Sequence, residues 1–243
     1  MSLSNPRPEN PVTKWIEFKG STGKFQYWDK ATESNIEIPL NKIGFIVLDE
    51  LNTITGYHES AKAGIYSNEV SDLSHETLTV KVFKTNVQIT GLYKDIKDNI
   101  KAIGGKFTKS VYAALITGKD SLELVNFKMS GSAFMGWLEK HANLYKQGVK
   151  ITGLKDGEKG KIKFKIPVFE GFDMPENLRL KAIELDKELQ EYLKQYRSKN
   201  IEKLEAENIS EAQEVVDAIV SNEPVKDIDI DDVIPAEDDS LPF

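Results

Sequence analysis

Aromatic residues that alternate with lysines are the residues of this sequence whose types and spacing could perform recognition chemistry. Trp15 and Trp28 each fall among polar neighbours in a segment of period-two alternation, which predicts that both rings face solvent from strands. Lys19 and Lys24 share those polar sides. An exposed ring stacks on an unpaired base while an ammonium group contacts phosphate, and each stacked base contributes about 1–3 kcal/mol. The pattern favours a single-stranded nucleic-acid binder, with cover of both tryptophans by a later helix as the alternative.

Later segments add candidates by the same reasoning. Phe83 lies beside Lys81 on the polar face of an alternating segment, and Tyr66 lies in a long loop predicted at residues 58–77. In residues 161–169 lysines alternate with apolar residues, and three ammonium groups about 7 Å apart along a strand match a phosphate backbone. The candidate nucleic-acid-binding residues are Trp15, Lys19, Lys24, Trp28, Tyr66, Lys81, Phe83, Lys106, Lys109, Tyr112, Lys161, Lys163 and Lys165.

Patterns typical of catalysis are weak in this sequence. Each Gly-Lys pair lacks the earlier glycine of a P-loop, and the three histidines are scattered, so neither nucleotide hydrolysis nor a histidine metal site is expected. Glu17 and Lys19 form the E-x-K of a metal-dependent nuclease without an upstream acid on a strand. The absence of cysteine excludes disulfides and thiolate ligands. We therefore expect a protein that is not an enzyme and needs no cofactor, with a nuclease as a minor alternative.

The last six residues have the chemistry of a peptide that other proteins hold. Asp238 and Asp239 lead into Leu241, Pro242 and Phe243. A terminal aromatic ring with a free carboxylate suits an apolar pocket rimmed by basic side chains, and proline reduces the freedom lost on capture. These five residues are the candidate partner-binding site, with a solvated acidic tail as the alternative.

Two parts of the chain, its C-terminal end and its body, resemble single-stranded-DNA-binding proteins. Its end resembles the acidic tip of bacterial single-stranded-DNA-binding proteins, Asp-Asp-Asp-Ile-Pro-Phe, with Ser240 in place of an Asp and Leu241 in place of Ile. Across roughly residues 10–197 the body resembles single-stranded-DNA-binding proteins encoded by phages, in segments 45–49, 64–70, 91–97 and 103–106. The resemblance implies roles in DNA replication, recombination and repair, and recruitment of partner enzymes through the tip.

The charge is distributed unevenly along the chain. The net charge is −7, yet residues 81–165 hold 17 basic and 7 acidic side chains, whereas residues 199–243 hold 3 basic and 14 acidic ones. A basic centre with an acidic tail is expected of a protein whose tail must stay off a phosphate site. The alternative is that the lysines only make the strands soluble.

Many short strands with glycine turns and a few helices position these residues. The predicted strands are Val12–Phe18, Lys24–Trp28, Ile43–Leu48 continued by Asn52–Tyr57, Leu78–Phe83, Phe107–Ile116, Leu122–Met129, Val149–Leu154 and Lys161–Phe169. The predicted helices are Tyr93–Ile103, Ser132–Leu144 and Pro175–Ser198. This order predicts a mainly β chain with inserted α-helices, an OB-like Greek-key barrel elaborated by helices, a C-terminal helix and an acidic flexible tail.

Four regions follow from these patterns: a flexible N-terminus at 1–11, a binding domain at 12–198, an acidic linker at 199–237 and the tip at 238–243. The last helix has an apolar seam, for which packing on its own sheet is favoured and a homodimer is the alternative. Its residues are Leu178, Ala182, Leu185, Leu189, Tyr192 and Tyr196.

The sequence as a whole predicts a protein that binds single-stranded DNA without sequence specificity and recruits replication or recombination proteins through its tip. The alternative is a recombination adaptor or strand-annealing protein. No membrane span or targeting segment is recognised, so we expect a cytoplasmic protein, in a bacterial host cell if a phage encodes it.

Overall fold

One mixed β-sheet of eleven strands is the framework of the part of the chain that the structure describes. The computed structural model describes residues 10–144 and 146–197. The strands are β1 (Lys14–Lys19), β2 (Lys24–Asp29), β3 (Ser34–Ile38), β4 (Gly44–His58), β5 (Ala63–Ser67), β6 (Leu78–Val82), β7 (Gln88–Gly91), β8 (Gly105–Gly118), β9 (Ser121–Ser130), β10 (Gln147–Lys159) and β11 (Ile162–Asp173). The helices are α1 (Tyr93–Ala102), α2 (Ser132–Leu138) and α3 (176–197), with a short 3-10 helix at Leu40–Lys42. The prediction of a mainly β chain with a few helices is confirmed.

The strand order is β3-β2-β1-β9-β8-β4-β5-β6-β7, and the hairpin of β10 and β11 attaches to the start of β4. Among the described strands only β1 and β9 pair in parallel. All described residues belong to the first of two contact units, Met1–Asn200, and the second unit is Ile201–Phe243. No helix in the described ranges is long and apolar enough to cross a membrane.

The inner face of the sheet covers two apolar cores. The first core lies among β1, β2, β4, β8 and β9 on one side and α2 with the β10–β11 hairpin on the other. Phe45 stacks on Trp137 there, and the Trp137 ring meets Phe169 edge-on at 5.1 Å between centroids. The second core lies where β5, β6 and β7 extend the sheet, and Ile96 and Ile100 of α1 close it. The long strand β4 contributes to both cores, with Phe45 in the first and Ile54 in the second.

The centre of the outer face is covered by α3. Its buried residues Leu189 and Leu193 pack on Leu51, while Leu178 and Ala182 pack on other apolar side chains of β4 and β8. The apolar seam of the predicted C-terminal helix thus packs on its own sheet. This is the favoured prediction for the seam, and the alternative use of the same side chains as a homodimer surface does not fit this packing.

The sheet is curled rather than flat. Lys165 on β11 donates its backbone N–H to the carbonyl of Gly20, in the turn between β1 and β2, at 2.8 Å. This bond joins the β10–β11 hairpin, on one side of the first core, to the β1–β2 turn on the opposite side of that core. A sheet that bends enough to approach its own far edge encloses its inner side chains from several directions, as barrels do.

Four stretches differ from the sequence prediction. The predicted loop 58–77 contains β5, which pairs with both β4 and β6, and the edge strands β3 and β7 were not predicted. Helix α2 ends at Leu138 rather than Leu144 because the chain after it runs beside β11: His141 donates its N–H to the carbonyl of Phe169 and accepts from the N–H of Gly171. Pairing with a distant strand outweighs the local helical pattern.

Candidate nucleic-acid interface

All exposed large aromatic side chains of the described residues lie on the outer face of the sheet. Their exposed fractions are 42% for Trp15, 58% for Trp28, 49% for Tyr57, 49% for Tyr66 and 53% for Phe83. Strand pairing establishes the shared face, because residues paired across antiparallel strands point to the same side. The five rings form two groups, one on each side of the strands that α3 covers.

The first group is the tryptophan pair, Trp15 and Trp28. Trp15 lies beside Asn126 of β9, and Trp28 lies beside Asn35 of β3. The pairing of Ile16 with Tyr27 brings the next residues of β1 and β2 together, which are the two tryptophans. No helix among residues 10–144 and 146–197 covers them, so the exposed orientation expected for both side chains is confirmed within that part of the chain.

The two lysines predicted to accompany this pair have carboxylate partners. Lys19 Nζ lies 3.3 Å from Glu17, and Lys24 Nζ lies 2.7 Å from Glu37, with all four side chains about half exposed. Exposed ion pairs of this kind contribute little to stability and exchange readily with other partners. A phosphate that binds here has to compete with those carboxylates. Glu17 and Lys19, the two residues of the E-x-K pattern, are therefore paired with each other.

The second group is the tyrosine–phenylalanine surface, which comprises Tyr57, Tyr66 and Phe83 together with Lys81 and Lys106. Tyr66 of β5 is paired with Thr55 on one side and with Lys81 on the other. Thr55 is in turn paired with Lys106 of β8. One row across four strands therefore places an exposed ring between two lysines, the arrangement expected for base stacking flanked by phosphate contacts.

The neighbouring row contains a ring that the sequence analysis missed. Tyr57 is paired with Gly64, and Phe83 donates its N–H to the Gly64 carbonyl at 2.9 Å. Two exposed rings therefore flank a glycine. The ammonium group of Lys84 lies 5.2 Å from the Phe83 ring centroid. The signal for Tyr57 was its period-two spacing from Thr55 at the end of a predicted strand.

Tyr112 lies on the outer face but is buried. It packs against Leu189 and Leu193 of α3, and only 5% of it is exposed. Its hydroxyl group donates a hydrogen bond to Glu69. Burial, together with the negative charge of Glu69, raises the pKa of Tyr112. The predicted stacking role of Tyr112 is therefore corrected, because a helix that begins some 60 residues later in the sequence covers its ring.

Glu69 is the centre of a buried polar network beneath this cover. Its carboxylate accepts from Ser110 at 2.6 Å and from Lys128 Nζ at 2.8 Å, besides Tyr112. Burial by itself raises the pKa of Glu69, but the charge of Lys128 and the donated hydrogen bonds outweigh burial and leave the pKa lowered. Asn126 donates to Ser110 at 2.7 Å, and its Oδ1 has no hydrogen-bond partner among the described residues. The network fastens the segment between β5 and β6 to the sheet.

Lys109 does not lie with the other candidates. Its pairing with Asn52 places it on the inner face, where its Nζ donates to Asn52 Oδ1 at 2.8 Å. Burial lowers the pKa of Lys109, partly opposed by the charge of Glu50. This half-buried position does not fit the predicted phosphate contact, and we correct that assignment.

The predicted lysine row on β11 is matched by acids on its partner strand. Lys163 is paired with Glu158, and Lys165 is paired with Asp156, to which its Nζ forms a 2.6 Å ion pair. Lys161 precedes the strand. Ile162 is 70% exposed, so the tip of this hairpin has no apolar core face. The predicted row of three strand lysines is therefore reduced to two, Lys163 and Lys165, and each of these has an acid opposite it on β10.

The partner-binding residues Asp238, Asp239, Leu241, Pro242 and Phe243 lie outside the described residues. Within the described ranges no three His, Asp or Glu side chains are placed to hold a metal ion. Comparison of the chain with protein-family models, curated proteins and solved structures finds no match.

Proposed function

We propose that this protein binds single-stranded DNA without sequence specificity through the outer face of its sheet. The observation that carries the proposal is that all five exposed large aromatic side chains of the described residues share that face. Half-exposed rings on regular strands lose the free energy that burial would supply, and a ligand with flat apolar faces recovers it. Unpaired bases are such ligands, and stacking on them tolerates any sequence.

The lysine positions support a polynucleotide rather than an isolated base. Lys81 and Lys106 flank Tyr66 in one row, and Lys84 lies over Phe83. Strands are 4.7–4.9 Å apart, so the row from Lys106 to Lys81 spans about 14 Å. Cations on both sides of a stacked ring suit phosphates on both sides of a stacked nucleotide.

The curled sheet and the resemblance support the wider role. A sheet that encloses a core and presents aromatic residues on strands is consistent with an elaborated OB-like barrel, a fold that commonly binds single strands. Under this proposal the protein coats exposed DNA during replication, recombination or repair, and its acidic tip recruits partner enzymes. The mechanism is stoichiometric binding by stacking and phosphate neutralisation.

Titration of labelled dT oligomers, at two salt concentrations and against a duplex of equal length, tests the proposal. We expect tighter binding to dT than to duplex, and an affinity that falls steeply with salt because counterions are released from phosphates. Equal affinity for the duplex, or no binding at low salt, would contradict the proposal.

Tryptophan fluorescence provides a second measurement on the same complex. The chain has three tryptophans, and Trp137 is buried with its Nε1 donating to Glu50 at 2.7 Å. Quenching by dT is therefore expected to come from Trp15 and Trp28. The double variant Trp15→Phe, Trp28→Phe should lose the quenching, whereas undiminished quenching in it would exclude the tryptophan pair from the interface.

A further inference from the structure

No contact with the residues that the structure describes explains why position 64 is a glycine. It lies inside β5, its φ is not in the left-handed region, and a Cβ at this position would meet no atom within 4 Å. Three other described glycines have equally open space, namely Gly131, Gly153 and Gly160. Gly131 and Gly160 have positive φ, and Gly153 lies at the register shift between β10 and β11. Of these four glycines, Gly64 is the one with neither a positive φ nor a register shift to explain it, and a strand-interior glycine often marks close approach of a ligand.

The neighbours of Gly64 indicate what could approach it. Tyr57 of β4 and Phe83, the residue directly after β6, flank it on its two sides, and both rings are about half exposed. Two strand spacings separate the backbones of Tyr57 and Phe83 by about 9.6 Å. A flat ring held between two others needs about 7–8 Å between the outer planes, since optimal carbon contacts are 3.5–4.0 Å. The gap above Gly64 therefore has room for one planar ring.

We infer that Gly64 forms the floor of a slot in which one unpaired DNA base is held between the rings of Tyr57 and Phe83. This inference rests on the proposed function and specifies one subsite within it. The ammonium group of Lys84, 5.2 Å from the Phe83 ring, is placed to contact a phosphate next to the held base. Tyr66, two residues along β5, offers a stacking surface about 6.8 Å farther on.

Filling the slot tests the inference. Gly64→Val adds a side chain that suits a strand, and its Cβ would have no atom within 4 Å, so we expect that the melting temperature does not fall. Affinity for a dT oligomer should fall about tenfold, within the range for loss of one stacked base. Gly64→Ala should show a smaller loss. Gly153→Ala is the matched control, because its Cβ also enters open space, and it should leave the affinity unchanged.

A second ligand distinguishes a base slot from a general effect on the surface. An abasic oligomer of the same length keeps the phosphates and lacks the bases, so Gly64→Val should bind it as the unaltered protein does. Equal losses for both oligomers, or an unchanged affinity of Gly64→Val for dT, would overturn the inference while leaving the proposed function in place. Failure of the unaltered protein to bind dT would instead contradict the proposed function.

Discussion

At the scale of single residues, an exposed ring on this sheet differs from a buried one mainly in what covers it. Tyr66 and Tyr112 are both strand tyrosines on the outer face, yet Tyr66 faces solvent, and Tyr112 lies under α3 and donates to Glu69. Only the uncovered rings can stack on a ligand. The five exposed rings are therefore the residues at which the proposed function should respond to substitution.

Phe83→Ala is expected to weaken binding of a dT oligomer by about 1–3 kcal/mol, the loss of one stacked base. The dependence of affinity on salt should stay the same, because no charge is removed. Fluorescence anisotropy at several salt concentrations measures both quantities. Leu138→Ala is a suitable control, since Leu138 is also an exposed apolar residue and lies on α2. An unchanged affinity of the Phe83 variant would remove this ring from the interface.

Whether a lysine contributes to DNA binding should depend on whether an acid lies opposite it, and not on its spacing along the strand. Lys106→Gln removes a cation of the tyrosine–phenylalanine surface and should lower the slope of log affinity against log salt by about 0.7, the value for one phosphate of a single strand. Lys163→Gln should leave the slope unchanged, because Glu158 lies opposite it. A salt titration of both variants checks this, and equal effects would restore the β11 lysines to the interface.

At the scale of elements, the segment between β5 and β6 is held to the sheet by charge as well as by packing. Glu69 and Lys128 form a 2.8 Å ion pair in which both side chains are largely buried. At the other end of this segment, Arg197 of α3 lies 2.6 Å from Glu76 and donates to Ser71. These contacts hold β5, the central strands and α3 together. Tyr66 and Gly64 both lie on β5.

Glu69→Gln is expected to lower the free energy of unfolding at neutral pH by about 3 kcal/mol, since it leaves the Lys128 ammonium buried without its counter-charge. The folded-state pKa of Glu69 is lowered, so its stabilisation is present above the unfolded pKa of about 4.3 and is lost as pH falls through the folded pKa. The difference between variant and unaltered protein should therefore shrink below about pH 4. Urea denaturation at neutral and acidic pH measures it.

The double variant Glu69→Gln, Lys128→Met is the control for this interpretation. It removes the unpaired charge and should recover part of the lost stability. If the single variant is as stable as the unaltered protein at neutral pH, the ion pair does not stabilise the fold. A loss that persists undiminished in acid would point to packing rather than ionisation.

At the scale of the whole molecule, the basic and acidic parts of the chain have separate proposed tasks. Residues 81–165 carry the excess of lysine, and residues 199–243 carry the excess of acids. The sheet would bind DNA, and the tip would bind proteins. Two tasks assigned to separate parts of one chain should be separable by substitution.

Deletion of Phe243 should leave dT affinity within twofold of that of the unaltered protein, because Phe243 is not among the residues proposed to bind DNA. It should abolish capture of replication proteins by an immobilised peptide of residues 234–243, since the aromatic ring and its carboxylate are the recognised groups. Anisotropy and quantitative pull-down with defined purified helicase, polymerase and exonuclease partners measure the two effects. A deletion that weakens DNA binding severalfold would contradict this division.

Local patterning by itself determined much of the architecture. Period-two alternation identified most strands of the sheet and the solvent-facing sides of Trp15, Trp28 and Phe83, because the side-chain period of a strand is a local property. The acids opposite the β11 lysines were also available, since Asp156 and Glu158 precede the same hairpin turn. Alternation within β11 alone, however, does not show which residues the partner strand brings opposite the lysines.

Only the tertiary structure decided which parts of each face are covered. Alternation assigned Tyr112 to the outer face, but α3 packs over it. Gly64 gained its significance from Tyr57 and Phe83, which are its neighbours across strands. Such contacts join residues distant in sequence, and their formation depends on the packing of the whole sheet rather than on any short segment. The sequence by itself therefore determined the elements and their faces, and long-range packing decided which side chains remain accessible to a ligand.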